Sequence, residues 1–436
     1  MEKRFVDSLF KQEINHTKKI KNMETINKCL ALAVGALCLT ALPSCESEEH
    51  NSKNDDNPRT SISLSPAQTR ACEAGNEFGV KLLRKAAELS EKDNIALSPV
   101  TVSMNLSMAA NGAKDGTLTK LLNLLEVESL DDLNSYYSHM LATLPTMDKM
   151  VDMYFANSLW LDETLWLDET LTPSPDYLSA IGENFQAAYY PFTVGSEDAW
   201  REINSWCERN TGGLIRDFLD TPPLSRVSLI STTAFNGKWS IFDRDRSQEG
   251  TFTNHSGDTS TVTMMSTSDT YHAVCGWGDD WKGVKLPYGN ASFNLTVILP
   301  DEGKTVGEVL RHIDSRDVTF ADNSERRYLL VKMPRFEVRS KGSLSGELAA
   351  MGFHIGDSDN DFSGICGDRI PLSDLRQETV ITSNEEGTTA ASAALADGLL
   401  EVFGDSTEFI IDRPFIFFIS EESTGAILYA GVVNQL

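Results

Sequence analysis

The chain has 436 residues, 38 Lys+Arg against 64 Asp+Glu, 41% apolar and 23% charged residues. That composition is too apolar for intrinsic disorder and too mixed for a coiled coil or a collagen-like chain. Residues 45–436 hold 31 Lys+Arg against 60 Asp+Glu, a surface that repels phosphate backbones and excludes nucleic acid as a partner.

In chain order, the first element is a targeting segment. Residues 29–42, CLALAVGALCLTAL, form an apolar run with no polar face, preceded by Lys18, Lys19, Lys21 and Lys28. The run is too short to span a bilayer and suits the apolar core of a secretory signal. Leu42-Pro43-Ser44-Cys45 follows at once. It resembles the lipobox of bacterial lipoproteins, which implies a signal peptide over 1–44 and a lipid on Cys45 as the new N-terminus. The basic residues lie far from Met1, so Met23 is an alternative start. Residues 45–61 are polar and acidic without apolar periodicity and read as a flexible tether. The cluster Glu46, Glu48, Glu49 resembles an export signal of Gram-negative lipoproteins; a merely solvated linker explains it equally well. The expectation is a cell-envelope lipoprotein of the outer membrane whose body lies in the periplasm or outside the cell.

Ser65-Pro66 and Ser98-Pro99 each read as a helix start. The first helix continues through Phe78, Leu82, Leu83, Ala86 and Leu89, the second to a stop at Asn111-Gly112. Further helices are expected near 117–126, 130–143, 175–187 and 198–210. Strand alternation appears at Val151, Met153, Phe155 and at Phe293, Leu295, Val297, Leu299. More strands are expected near 226–236, 260–265, 282–288, 328–338 and 376–384, and a buried hairpin over 414–433. Helices cluster early and strands late without βαβ alternation, so the fold class is α+β with large, mostly antiparallel sheets. The hexapeptide LWLDET occurs twice, at 159–164 and 165–170. Six residues preserve the period of a strand but would turn a helix face by about 240°. The duplication therefore lengthens a strand end or the loop behind it.

No sequence element marks a catalyst: GxSxG, HExxH, Walker and dinucleotide patterns are absent, and the seven histidines are isolated. Asp357, Asp359 and Asp361 have the spacing that opens a calcium loop, but Phe362 stands where glycine is needed and Asp368 where glutamate is. Cys72, Cys207, Cys275 and Cys366 lack metal spacing and read as buried thiols. No enzyme activity, metal or cofactor is expected.

The unusual stretch is Glu385-Glu386-Gly387-Thr388-Thr389-Ala390-Ala391-Ser392-Ala393-Ala394, which follows a strand and begins a long return to Phe409. Long loops inside compact domains are usually functional. Side chains this small let the segment enter a sheet between two strands, with Thr388, Ala390, Ser392 and Ala394 facing the helix layer beneath. Loop insertion of this kind is known for serpins.

At these residues the chain resembles the serpin family, the serine protease inhibitors, over about 65–436. Asn94-Ile95-Ala96-Leu97-Ser98-Pro99 resembles the family's shutter, and Ile203-Asn204-Ser205-Trp206 with Thr211-Gly212-Gly213 its INxWV…TxGxI segment. Phe235-Asn236-Gly237-Lys238-Trp239 resembles FKGKW at the point of loop entry. Val284-Lys285-Leu286-Pro287-Tyr288, Met333-Pro334-Arg335-Phe336, Asp361-Phe362-Ser363-Gly364-Ile365 and Arg413-Pro414-Phe415 complete the series in family order. Ser231 and Gln377 stand where many relatives carry asparagine and histidine; both can hydrogen-bond, so a rearranged shutter is expected.

The resemblance implies one domain over 62–436 with three sheets, about eight or nine helices and an exposed reactive loop over about 385–409. It implies a monomer that traps an endopeptidase, serine or cysteine in type, as a covalent 1:1 complex, touching a membrane only through its anchor. The protease attacks the loop, forms an acyl-enzyme, and the freed segment inserts as a central strand. About 15 inserted residues at ~3.3 Å each carry the protease about 50 Å. The native state must then be held kinetically. Shutter and breach positions are Ser98, Thr101, Ser231, Trp239 and Gln377. Sixteen positions after Glu385 the reactive bond falls at Glu401–Val402; counting back from Pro414 moves it toward Phe403–Gly404. Leu400, Val402 and Phe403 would suit elastase-like or chymotrypsin-like pockets. The competing reading is a non-inhibitory serpin acting as a chaperone or binding protein.

Overall fold

Two serine–proline pairs open two of the longest helices, and they do so differently. In the computed structural model, which describes residues 56–90, 93–162, 173–239, 241–268, 270–367, 372, 375–385 and 407–436, α1 spans Pro66–Leu89 and α2 spans Pro99–Gly112. Ser65 caps α1 through a reciprocal pair with Gln68. Ser98 makes no cap bond; its hydroxyl turns inward instead, as described below. Helix α1 buries Phe78, Leu82, Leu83 and Ala86 as a stripe. Helix α2 is buried on nearly every side, which is why its sequence shows no polar face.

Short strand β1 (Ile95–Leu97) lies between them, followed by α3 (Asp115–Leu124), α4 (Leu130–Thr143), β2 (Val151–Asp162), α5 (Pro175–Phe185), β3 (Ala188–Phe192), α6 (Glu197–Asn210) and β4 (Val227–Gly237). Strands β5 (Phe242–Thr253), β6 (Thr259–Thr267), β7 (Tyr271–Trp277), β8 (Trp281–Pro287) and β9 (Phe293–Pro300) come next. After short helices α7 (Val306–Leu310) and α8 (Ser315–Thr319) stand β10 (Ser324–Pro334), β11 (Phe336–Ser343) and α9 (Ser345–Ala350). The chain closes with β12 (Arg376–Ser383), β13 (Thr407–Ile410), β14 (Phe415–Glu421) and β15 (Ile427–Val433). Nine α-helices and three sheets among the described residues match the expected α+β architecture. Asp56–Leu436 is one compact unit.

The largest sheet has the order β1–β15–β14–β9–β8–β7–β10–β6–β5, with β13 joined in parallel to β10. The expected hairpin is its centre: every residue of β14 and β15 is buried. The buried Glu421 carboxylate accepts bonds from the backbone N–H and hydroxyl of both Ser423 and Thr424, at 2.6–2.8 Å, and so shapes the turn between them. The two remaining sheets are the slab β3–β2–β4 and the pair β11–β12.

Two expectations change. The single strand expected over 328–338 is two, β10 and β11, which part at Pro334-Arg335 and belong to different sheets. The tether expected through residue 61 meets the body earlier: Asn57 donates to the buried Asp148 carboxylate at 2.8 Å and accepts from Lys149 N at 2.9 Å, and Ile62 N donates to Ser423 at 2.8 Å. Strand β5, whose DRDRSQEG stretch lacks alternation, went unseen because it is an exposed edge strand pinned by buried Phe242 and Phe252 near its two ends. The first LWLD ends β2, and Asp162 there accepts from Arg226 at 3.2 Å; residues 163–172, with the second copy, lie outside the described residues.

Two cores flank the slab. Trp160, Ile203, Trp206, Cys207 and Ile230 form one under α6. The larger core, with α1, α2 and the large sheet, fills the opposite side.

Candidate functional site

Strands β4 and β12 approach within 8 Å at their Cα atoms, yet no ladder joins them among the described residues. Each is paired on its far side only, β4 to β2 and β12 to β11. A sheet interrupted between two neighbouring strands is a place where a further strand can pair on both edges.

Alternation sorts the side chains along this gap. On β4, Ser231, Thr233 and Phe235 share one face. Thr233 meets the Tyr429 hydroxyl of β15 at 3.0 Å, and Phe235 lies edge-on to the Tyr429 ring. On β12, Gln377, Thr379, Ile381 and Ser383 share the face toward α2. Gln377 clasps Ser98 at both ends: its carbonyl accepts from Ser98 N at 3.2 Å, and its amide donates to Ser98 O at 2.8 Å. The Ser98 hydroxyl lies 2.7 Å from that of Thr101 and 3.0 Å from Leu428 O. The start of α2 is thereby tied to β12 and β15 together. This is why Ser98 does not cap its own helix.

Ser231, placed for the same duty, does not perform it. Its buried hydroxyl has no partner among the described residues. Its cross-strand neighbour Asn157 donates instead to Phe185 O at 2.8 Å. The hydroxyls of Thr379 and Ser383 are likewise buried and unpaired. An unsatisfied buried hydroxyl costs about 1–3 kcal/mol. The gap thus carries three such groups on the face toward α2.

The opposite face of β12 carries a buried carboxylate that the sequence did not single out. Glu378 is paired through one oxygen with Arg339 at 3.0 Å, and its other oxygen has no partner among the described residues. Burial pushes this carboxyl above its ordinary range, further than Arg339 and Lys341 draw it back. Glu378 in turn helps burial raise the Cys207 thiol of α6.

At the end of the gap where β4 finishes, beyond Ser383, the buried carboxylate is satisfied. The Glu385 side chain, 2% exposed, pairs with Arg335 (Nη2–Oε1 2.9 Å) and accepts from the Ser247 hydroxyl. Burial opposes its ionisation, but the bonds from Arg335 and Ser247 prevail and hold it below the ordinary carboxylate range. Trp239 is buried, stacked on Tyr288 at 4.1 Å and edge-on to Phe242 at 5.5 Å. Gly237 permits this packing, since a Cβ there would stand 2.5 Å from the Phe235 ring and 2.7 Å from Tyr288. Arg335 lay inside a quoted motif, and only the fold reveals its partner.

Of the sequence-selected residues, the structure brings together Ser98, Thr101 and Gln377 in one cluster and sets Trp239 and Glu385 at one end of the gap. Glu386, Gly387, Thr388, Thr389, Ala390, Ala391, Ser392, Ala393 and Ala394, the bond candidates Leu400, Glu401, Val402, Phe403 and Gly404, and Cys45 lie outside the described residues. The described residues hold no group of three or more His, Cys, Asp or Glu able to bind a metal ion. Their four cysteines are buried thiols.

The arrangement matches known proteins over nearly the whole body. The family model described as Serpin (serine protease inhibitor) matches residues 73–436. Leukocyte elastase inhibitor A of Mus musculus is 27% identical over 378 residues, 83% of this chain and 98% of its own length. Iripin-8 of Ixodes ricinus is 27% identical over 395 residues, 86% and 95% of the two chains. Among solved structures, the thermophilic serpin tengpin in its native state superposes with a TM-score of 0.74 at 24% identity, covering 87% of this chain and 97% of its own.

Proposed function

This chain belongs to the serpin family, and from that premise we propose that it inhibits endopeptidases by trapping them on its reactive loop. The observation that carries this reading is the interrupted sheet: the gap between β4 and β12 ends at Glu385, and the residues that follow it in sequence are small enough to fill it. In this mechanism the protease attacks the loop as a substrate and becomes an acyl-enzyme. The freed segment then enters the gap, pairing with β4 on one edge and β12 on the other. Each ladder bond nets only ~0.5–1.5 kcal/mol, but a central strand forms two ladders at once. Thr388 and Ser392 would bring hydroxyls to the face where Ser231, Thr379 and Ser383 now have none to meet.

The reactive bond is Glu401–Val402 in this reading, with Leu400–Glu401, Val402–Phe403 and Phe403–Gly404 as alternates. A carboxylate entering an apolar specificity pocket would remain unpaired at a cost of several kcal/mol. A glutamyl endopeptidase would therefore choose Glu401, and an elastase Leu400 or Val402. The experiment is incubation with glutamyl endopeptidase, pancreatic elastase and chymotrypsin, followed by boiling in detergent. A complex of one protease with one chain that survives boiling is expected, and mass spectrometry of the released peptide should place its N-terminus within 401–404. Cleavage of the loop without any surviving complex would overturn inhibition in favour of a binding or chaperone role. A released N-terminus elsewhere would overturn the placement of the bond.

Membrane attachment is a separate proposal, resting on the apolar run 29–42 and Leu42-Pro43-Ser44-Cys45. Lipidation of Cys45 would hold the body at the cell envelope, and Cys45→Ala should release it from the membrane fraction. A Cys45→Ala protein that stays fully membrane-bound would refute this.

A further inference from the structure

We propose that the stacked pair Tyr328 and His272 is a docking ledge for the protease that the loop holds, meeting the rim of its cleft beside the residues that follow the cleaved bond; this rests on the inhibitory reading above. Tyr328 is 66% exposed, a large apolar ring left in water on a regular strand. It faces His272 across the β10–β7 ladder, ring centroids 4.8 Å apart and planes inclined by 15°. The stack fixes both rings before any partner arrives, so docking costs little side-chain entropy. Arg326 lies two residues back on the same face of β10 and is also exposed. Tyrosine beside arginine is the composition of interface hot spots.

Position identifies the partner. The residue after Tyr328, Leu329, is the register partner of Thr407, the first residue of β13. The loop rejoins the body there. Whichever bond in 400–404 is cleaved, the residues after it lead into Thr407, and the three to six residues between span at most about 10–20 Å. A protease seated on that bond has its cleft rim over β10. The chemistry of the ledge selects a rim with an apolar or aromatic side chain and a neighbouring carboxylate. Leu224 is more exposed still, at 82%, but it precedes the start of β4, at the opposite end from the Glu385 cluster, and serves as the control.

The test measures association rate constants and inhibition stoichiometry for the wild type, Tyr328→Ala, the double variant His272→Ala/Tyr328→Ala and Leu224→Ala, against each protease that the wild type traps among glutamyl endopeptidase, pancreatic elastase and chymotrypsin. Tyr328→Ala should slow association at least fivefold with stoichiometry and thermal midpoint unchanged, the double variant should be slower again, and Leu224→Ala should match the wild type. Both ledge variants associating at the wild-type rate, while the wild type traps normally, would overturn the ledge alone. A wild type that traps nothing would overturn the inhibitory reading and the ledge with it. Sedimentation of the free proteins supplies the last arm: a wild-type dimer lost in Tyr328→Ala would make the ledge a self-association surface and overturn the proposal.

Discussion

The end of the gap and its middle are built on opposite principles. At the end, Glu385 is bound by Arg335 and Ser247, and Trp239 is packed between Tyr288 and Phe242. In the middle, Ser231 and Thr379 bury hydroxyls that meet nothing among the described residues, and Glu378 buries an oxygen likewise. In the inhibitory mechanism proposed above, a satisfied end would slow entry and an unsatisfied middle would favour completion, which would put the barrier at the hinge and the driving force along the gap.

The largest effect should come from barring entry altogether. Thr388→Arg would set a charge on the face toward α2, where burial without a partner costs several kcal/mol. It should turn inhibitor into substrate, raising the stoichiometry of inhibition more than tenfold, with the thermal midpoint of the uncleaved protein unchanged. Loop cleavage of the wild type should raise the midpoint by an amount of order 20 °C, from about 15 new ladder bonds at ~1 kcal/mol each, and cleavage of Thr388→Arg should not. A Thr388→Arg protein that traps at full efficiency would break the comparison.

Loosening the end comes next. Glu385→Gln should cost about 1–3 kcal/mol, less than a fully buried pair because Arg335 is 39% exposed, and should speed spontaneous loss of inhibitory activity on warming. The pH dependence separates the two carboxylates. Glu385 is held low, so its contribution is present above the ordinary carboxylate pKa of about 4.3 and is lost as pH falls through its lowered value. Glu378 is held high, so its contribution is complete below about 4.3 and is lost as pH rises through its raised value. Thermal midpoints across pH should therefore lose part of their acid limb in Glu385→Gln and part of their decline with rising pH in Glu378→Gln. The same limb changing in both variants would contradict the opposite environments.

The smallest expected effect is the most diagnostic of the middle. Ser231→Ala removes an unpaired buried hydroxyl and should stabilise the uncleaved protein by about 1 kcal/mol. Ser98→Ala, which breaks bonds to Thr101 and Leu428, should destabilise it by a similar amount. Chemical denaturation reads both, and equal signs would remove the distinction between satisfied and unsatisfied positions.

Local signals in the chain determine most of its elements: the serine–proline helix starts, the alternation of β2 and β9, and the apolar runs of the C-terminal hairpin all act between residues close in sequence. The family motifs were legible for the same reason. The partners of those motifs were not. Gln377 and Ser98 are 279 residues apart, Glu385 and Arg335 are 50 apart, and the Glu378–Arg339 pair joins two strands separated by a helix. Hydrogen-bonding capacity made Ser231 and Gln377 look equivalent as shutter residues. Tertiary packing gave Gln377 the backbone of Ser98 and left the Ser231 hydroxyl with no partner among the described residues. A residue type states which bonds a side chain is able to make, and only the approach of distant strands decides which of them it makes.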